Sequence, residues 1–202
     1  MTNDKEIYII RHAQAVHNKT KNYNLKDPEL TEFGKDQAKL LLLHYDHLKE
    51  FDLIISSPMR RAIETVLIAF DGFLSLRNSK NTHHKSIPLI ILPELQEISN
   101  RNCDTCSSLE DLQSQFPYLD FSFCTGNWLL KTGFFSYEPS MIEKRASWVR
   151  DWVSDRHEQK IVLVSHMEFI KYLVDCSKPW ANLEIKKFTL GPGNIFKPVN
   201  FQ

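Results

Sequence analysis

The stretch IYIIRHAQAVHN, residues 7–18, begins with an apolar run and continues directly into an arginine and a histidine. A short run rich in isoleucine is typical of a strand that is buried on both faces of a sheet. In open α/β sheets, ligands bind beyond the carboxyl ends of the strands, and Arg11 and His12 stand at that end of the run. The stretch therefore predicts a buried first strand with a candidate site at its exit.

Four short apolar runs in the chain have this character. They are EIYII (6–10), DLIIS (52–56), PLIIL (88–92) and KIVLVS (160–165). Segments with helical spacing lie between them, so strands alternate with helices. This alternation predicts an α/β fold, a three-layer sandwich in which a mostly parallel central sheet is flanked by helices.

Helix starts are marked by capping residues. Thr31 is the predicted N-cap of one helix, and Pro58 is placed in the first turn of a second. Ser107 with Glu110 resembles a capping box for a third helix, and residues 140–155 are predicted to form a fourth.

Length and composition favour one domain spanning residues 1–202, because 202 residues that are 42% hydrophobic suffice for one sizeable core. The polar run at 76–86 is interpreted as a loop. Lys plus Arg equals Asp plus Glu at 25 each, so the chain has no net positive charge. Binding to nucleic acid or to a membrane surface is therefore not predicted.

The amino-terminal sequence MTNDKEIYII has no long apolar leader, and no apolar run approaches the roughly 20 residues that a bilayer requires. We therefore expect no membrane partner and a cytoplasmic protein, with the nucleus also compatible. The four cysteines are interpreted as free thiols, because the Cys103–Cys106 pair has no second ligand pair for zinc. His83 and His84 lack ligand spacing, so no metal or other cofactor is expected.

A second histidine and an arginine pair complete the candidate site. His166 follows the KIVLVS run as His12 follows the first strand. Arg60 and Arg61 begin a predicted helix, and adjacent helical residues point about 100° apart, so only one of them can face the site. Several cationic and hydrogen-bonding donors without a nearby acid favour a bound anion with several oxygens, and phosphate matches the arginine fork.

These segments resemble the motifs of the histidine phosphatase superfamily, which has the phosphoglycerate-mutase-like fold. The matching segments are RHAQAVHN, DPELTEFGKDQA, SSPMRRAIET and LVSH, which occur in the family's order within residues 7–170. The resemblance implies a phosphoric monoester hydrolase of the histidine acid phosphatase type that acts on a phosphorylated small molecule.

The resemblance also implies roles for individual residues. His12 would be the nucleophile that forms a phosphohistidine, and Arg11, Arg61 and His166 would hold the phosphoryl oxygens. Asn18 would add a neutral donor to the phosphate. Arg61 would be the inward arginine of the pair, and His17 is interpreted as structural.

The leaving group also needs a proton, and the loop PELQEISNRNCDTC supplies the candidate acids. The family pattern is matched by Leu95-Gln96-Glu97-Ile98, which selects Glu97. Asp104 and Glu94 remain alternatives. The segment at about 98–140 is interpreted as an insertion that covers the site and selects the substrate, and its aromatic part, 116–135, is expected to form a partly apolar lid.

Two departures from the family pattern leave a second class of function open. The glycine after the first histidine is Ala13, and Met167 and Glu168 stand where the family often has glycines. The free amide groups of a helix that begins there would help to bind phosphate, whereas a carboxylate close by could repel it. The alternatives are therefore a weakly active or inactive binding module and, less favoured, a phosphoglycerate-type mutase. The oligomeric state and the physiological substrate stay open.

Overall fold

A computed structural model of the chain describes residues 5–45, 50–76 and 86–199. Within these ranges six strands form one sheet: β1 (Glu6–Arg11), β2 (Leu53–Ser56), β3 (Leu89–Ile91), β4 (Lys160–Ser165), β5 (Ile185–Leu190) and β6 (Phe196–Val199). The α-helices are α1 (Val16–Thr20), α2 (Glu32–His44), α3 (Arg60–Ala69), α4 (Leu109–Gln115), α5 (Pro139–Ser154) and α6 (Met167–Leu173). The four predicted strands are confirmed. The predicted polar loop lies almost wholly outside the described residues, as do His83 and His84.

The sheet has the order β3-β2-β4-β1-β5-β6. The first four strands in that order are parallel to one another, and β5 and β6 extend the sheet in antiparallel fashion. The prediction of a mostly parallel central sheet is therefore confirmed.

Both faces of the sheet are buried at β1, which explains why this strand reads as a continuous apolar run. Successive side chains point to opposite faces of a strand, and here Tyr8 and Ile10 join one core while Ile7 and Ile9 join the other. The first core includes residues of α2 and α3, and the second includes residues of α5 and α6. Helices on both faces give the expected three layers.

The strands β5 and β6 were not expected from the sequence. β5 is only partly buried, and its lysines, including Lys187, reach outward to carboxylates such as that of Glu6. A half-solvated strand beside the core does not produce a fully apolar run. The turn sequence Gly191-Pro192-Gly193-Asn194 between the two strands, with Gly193 at φ 69°, is the signal that indicates this hairpin.

The helix boundaries confirm one capping prediction and correct two. Thr31 caps α2, and its hydroxyl accepts a hydrogen bond from the Gly34 amide. The second helix begins at Arg60 rather than in a turn containing Pro58, because a carboxylate oxygen of Asp27, remote in sequence, accepts the Arg60 amide at 3.0 Å. The N-cap of α4 is Ser108 rather than Ser107.

The aromatic part of the predicted insertion packs into a third core. Phe116, Phe121 and Trp128 are buried there against residues of α3 such as Ile63. The aromatic side chains thus cover one flank of α3, and their burial accounts for the apolar composition of this segment.

Candidate active site

The sheet order brings the exits of three parallel strands together. β1, β4 and β2 are neighbours, and the residues that follow their carboxyl ends are His12, His166 and Ser57. Parallel neighbours end at the same edge of a sheet, so these side chains share one site. The ring centroids of His12 and His166 lie 5.1 Å apart. The two histidines predicted from distant segments are therefore adjacent.

Hydrogen bonds fix the tautomer of His12. Nδ1 lies 2.7 Å from the carbonyl oxygen of Ala13, which can only accept, so Nδ1 carries the proton. Nε2 then accepts the hydrogen bond that Nε of Arg61 donates over 3.1 Å. The only ring lone pair of the neutral imidazole therefore lies on Nε2, where it accepts from Arg61.

The electrostatic surroundings keep His12 neutral. Burial lowers the pKa of its imidazole well below the usual value, and the positive charges of Arg61 and Arg11 lower that pKa further. A nucleophilic imidazole must be unprotonated, so this environment suits attack by His12.

His166 lies deeper than His12. Its imidazole is fully buried, and Nε2 is 2.8 Å from the hydroxyl oxygen of Ser57. Burial and the charge of Arg61 also lower the pKa of His166 well below its usual value. Both imidazoles are therefore neutral, and position distinguishes them, since His12 lines the cleft described below whereas His166 stands behind it.

Arg61 is the inward arginine of the pair, as the resemblance implied. Its side chain is 1% exposed, and its nitrogens donate to His12, to the carbonyl oxygen of Cys103 at 2.6 Å and to a carboxylate oxygen of Asp104 at 3.1 Å. Arg60 points away, towards the carboxylates of Glu29 and Glu64. The first turn of α3 thus supplies one positive charge to the site.

Arg11 supplies a second guanidinium from the last position of β1. Its Nη1 donates to the carbonyl oxygen of Trp180, and its Nε is buried without a hydrogen-bond partner among the described residues. Burial lowers the pKa of this guanidinium, although an arginine stays charged at neutral pH. An anion in the cleft would provide the missing acceptor.

Glu97 combines a structural contact with a position at the cleft. Its Oε1 accepts the Ile98 amide at 2.9 Å and the Phe169 amide at 3.0 Å, and its Oε2 accepts the Glu168 amide at 3.2 Å. Burial raises the pKa of the carboxyl group. A carboxyl with a raised pKa that lines the cleft is suited to donate a proton.

These contacts alter the expectation for the start of α6. The amides of Glu168 and Phe169 donate to Glu97, so they are not free for phosphate as the sequence suggested. The Glu168 carboxylate lines the cleft but binds Lys171 through both oxygens, at 2.8 and 3.0 Å, which offsets its charge. Ala13 does not have a positive φ, so this position does not require a glycine.

The two alternative acids occupy different positions. Asp104 lines the cleft, but its Oδ1 accepts from Arg61 and its Oδ2 accepts from the Ser99 hydroxyl at 2.6 Å. Glu94 is outside the cleft lining, and burial raises the pKa of its carboxyl group. The geometry therefore favours Glu97 over both.

The cleft has a volume of about 680 Å³. Its described lining residues are Arg11, His12, Gln14, His17, Asn18, Lys21, Tyr23, Arg61, Glu97, Ile98, Ser99, Arg101, Cys103, Asp104, Met167, Glu168 and Asn182. From the predicted insertion at 98–140, only positions 98–104 contribute to this lining, and the aromatic stretch 116–135 does not. Selection of substrate by the insertion stays a prediction, and it now rests on 98–104.

Three polar residues form a group beside His12 that the sequence interpretation missed in part. His17, interpreted as structural, lines the cleft with its ring centroid 6.1 Å from that of His12. Asn182, from the loop before β5, donates to the carbonyl oxygen of His12 at 3.1 Å and to Oδ1 of Asn18 at 3.3 Å. No motif marks Asn182. The proximity of His17 to Asn18 was visible in the sequence.

The described residues contain no cluster of three or more His, Cys, Asp or Glu side chains placed to hold a metal ion. Cys103, Cys106 and Cys124 are free and buried, and burial raises the pKa of Cys103 to about 11 and that of Cys124 to about 12.

None of the helices in the ranges that the structure describes has both the length and the apolar character needed to span a bilayer.

The fold and the paired histidines and arginines define an α/β protein with a cluster of hydrogen-bond donors at the carboxyl ends of its parallel strands, where open α/β sheets bind ligands. The family model for the histidine phosphatase superfamily (branch 1) matches residues 7–197. The chain therefore belongs to the histidine phosphatase superfamily, and its fold is phosphoglycerate-mutase-like.

Related sequences carry phosphatase and mutase-like names. A probable phosphatase of Schizosaccharomyces pombe is 36% identical over 124 residues, which cover 60% of this chain and 54% of that protein. The chain thus aligns with about half the length of that relative. Phosphoglycerate mutase-like protein 1 of Arabidopsis thaliana is 26% identical over an alignment of 219 positions, which covers 93% of this chain and 77% of that protein.

Solved structures share the fold at low sequence identity. YhfR of Bacillus stearothermophilus superposes with a TM-score of 0.63 at 20% identity, covering 96% of this chain and 94% of that one. The phosphoserine phosphatase of Entamoeba histolytica, in complex with 3-phosphoglyceric acid, superposes with a TM-score of 0.58 at 20% identity, covering 96% and 93%.

Proposed function

We propose that the protein is a phosphomonoesterase that hydrolyses a phosphorylated small molecule through a phosphohistidine on His12. The observation that carries this proposal is the position of His12 at the cleft, where its Nε2 lies 3.1 Å from Nε of Arg61. A nucleophile held next to a permanent positive charge is arranged for attack on a phosphoryl group.

In the first step, the hydrogen bond from Nε of Arg61 to Nε2 of His12 breaks, and the lone pair that it occupied attacks phosphorus. The bond between phosphorus and the leaving oxygen breaks as the new bond forms. The leaving oxygen takes a proton from the carboxyl group of Glu97, whose raised pKa favours the protonated form. The Nδ1 proton stays on His12 and continues to donate to the Ala13 carbonyl, which stabilises the cationic phosphoimidazole.

In the second step, a water molecule attacks phosphorus and the phosphorus–nitrogen bond breaks. The carboxylate of Glu97 accepts the proton of that water, which restores the protonated acid and the neutral His12. Arg11 and Arg61, which line the cleft, hold the phosphoryl oxygens in both steps. The resemblance gives His166 the same role, and its Nδ1, which is buried without a hydrogen-bond partner among the described residues, is the atom that would have to reach the phosphoryl group.

Charge neutralisation is thereby assigned to arginine, and no metal ion is needed for it. Hydrolysis is expected to persist in the presence of a chelator. Abolition of hydrolysis by the chelator, with recovery on addition of a divalent cation, would contradict this assignment.

Hydrolysis is preferred to phosphoryl transfer within the substrate. The fission-yeast relative named as a probable phosphatase is the most similar of the relatives described above, and its name supports this preference. A phosphoglycerate assay that measures both inorganic phosphate and the isomeric product separates the two reactions. Dominant isomerisation would favour the mutase instead.

The decisive experiment compares wild type with His12→Ala in hydrolysis of a generic aryl phosphate, at mildly acidic and neutral pH. His157→Ala is the matched control, because the His157 side chain is 89% exposed. We expect the control to retain the wild-type rate and His12→Ala to lose activity. Equal residual rates in wild type and His12→Ala would leave only the binding role. A screen of phosphorylated metabolites then identifies the substrate.

A further inference from the structure

The side-chain amide of Asn18 has a fixed orientation. One of its terminal atoms accepts the Ala15 backbone amide at 2.9 Å, and a backbone N–H can only donate, so that atom is Oδ1. Nδ2 is then the atom that lies 3.0 Å from Nε2 of His17. The side-chain amide of Asn182 also donates to Oδ1 of Asn18, which strengthens this assignment.

The orientation of Asn18 determines the tautomer of His17. Because Nδ2 of Asn18 can only donate, Nε2 of His17 must accept, and a neutral His17 carries its proton on Nδ1. His17 as a whole residue is 6% exposed, and its Nδ1 is buried without a hydrogen-bond partner among the described residues. Leaving such a donor unpaired is unfavourable, so an acceptor that is not part of the described chain is needed to complete it.

The surroundings of His17 keep it neutral beside the nucleophile. Burial lowers its pKa to about 4, and the charge of Arg61 acts in the same direction. Its ring lies 6.1 Å from that of His12 and lines the same cleft. A neutral N–H donor in this position can bind a phosphoryl oxygen without adding a charge that must be neutralised in the free protein.

We propose that His17 binds the phosphoryl group of the substrate through its Nδ1–H, and that Asn18 is a positioning residue that holds the imidazole in the required tautomer. This proposal rests on the proposed function for the identity of the ligand. Asn182 connects Asn18 to His12, because its side-chain amide donates to Oδ1 of Asn18 and to the carbonyl oxygen of His12.

Two substitutions separate the donor role of His17 from its contact with Asn18. In His17→Asn, the amide reaches the place of Nδ1 and keeps a donor there, but it loses the acceptor for Asn18. In His17→Gln, the longer side chain reaches the place of Nε2, so it keeps that acceptor and loses the donor. His157→Asn, at an exposed histidine, controls for the exchange itself.

The first measurement is the dissociation constant of inorganic phosphate by isothermal titration, with urea unfolding as a check on the fold. We expect His17→Gln to weaken binding by about tenfold or more, the effect of losing one hydrogen bond to a charged ligand. His17→Asn is expected to stay within about threefold of wild type. Wild-type affinity in His17→Gln, or equal weakening in both variants, would overturn the donor role.

A pH profile gives an independent check on the neutral tautomer. Because the donor is neutral, phosphate affinity relative to His17→Asn is expected to be constant between pH 5 and 8. A progressive loss of wild-type affinity relative to that variant over this range would show that an imidazolium binds the anion, and would overturn the proposal.

The binding assay also distinguishes this inference from the proposed function. If wild type turns over substrate no faster than His12→Ala, hydrolysis through His12 is refuted. The dissociation constants of inorganic phosphate for wild type and the His17 variants still test the role of His17 in that case. Conversely, active wild type combined with wild-type phosphate affinity in His17→Gln refutes only the role of His17.

Discussion

Oε1 of Glu97 lies 3.0 Å from the backbone nitrogen of Phe169, in the first turn of the helix that follows His166. The carboxyl proposed as the acid therefore also satisfies the start of α6, where backbone amides have no intrahelical partner. This double role links the loop after β3 to the helix after β4. It also means that removal of the carboxyl can alter both chemistry and fold, so a test must separate the two.

Glu97→Gln is expected to reduce turnover, and the reduction is expected to be larger for substrates whose leaving oxygen is more basic. Glutamine keeps one oxygen acceptor, for the Phe169 amide, but its NH2 group cannot accept from the Glu168 amide, and it cannot supply the proton. We expect a loss of about 10²- to 10⁴-fold for an alkyl phosphate, whose leaving group is strongly basic, and a much smaller loss for a nitrophenyl phosphate. The measurement is kcat/KM across a leaving-group series, and a uniform loss along the series would contradict the acid role.

Asp104→Asn is expected to lower stability without changing that leaving-group dependence. Asp104 accepts from Arg61 and from Ser99, so its charge offsets a buried guanidinium. We expect a loss of about 1–3 kcal/mol in the free energy of unfolding, measured with urea. If the variant instead loses alkyl phosphate activity selectively, Asp104 rather than Glu97 is the acid.

The parts of the fold that were predictable from sequence are those with strong local signals. The buried strand before Arg11 and the cap at Thr31 depend on neighbouring residues alone, and both were placed correctly. The start of α3 depends on Asp27, which is remote in sequence, and a local pattern contains no such information. Contacts between distant segments therefore limited the prediction of boundaries.

The residues of the candidate site were likewise predictable from sequence only where a local signal marks them. Motifs identified the two histidines and the inward arginine, because each directly follows or begins an element with a clear signal. Asn182 lies in a loop without a motif, and only the sheet order brings it to His12. His17 was recognisable as a neighbour of Asn18, but its tautomer and its unpaired Nδ1 follow from the folded hydrogen bonds alone.

Gly34→Ala is expected to destabilise the fold beside the cleft. A Cβ at this position would lie 2.1 Å from the carbonyl oxygen of Gln14, which belongs to the backbone that follows His12. Because that contact is with backbone, relief requires α2 or the loop to move, and we expect a cost of about 1–3 kcal/mol in the free energy of unfolding. Lys35→Ala, at the next position, is the control. Unchanged stability in Gly34→Ala would show that the two segments separate easily.

Lys131→Met is expected to change how stability depends on alkaline pH. Lys131 is 8% exposed and donates to the carbonyl oxygen of Glu97, and burial lowers its pKa to about 8 from an ordinary 10.5. Between these two values the unfolded chain binds more protons than the folded one, so wild type should gain stability over the variant as pH rises from 8 to 10.5. The slope is expected to approach about 1.4 kcal/mol per pH unit, and urea unfolding of both proteins measures it. Lys178→Met, at an exposed lysine, controls for the loss of one charge. If the difference in free energy of unfolding between wild type and Lys131→Met does not change with pH, burial does not destabilise the Lys131 ammonium.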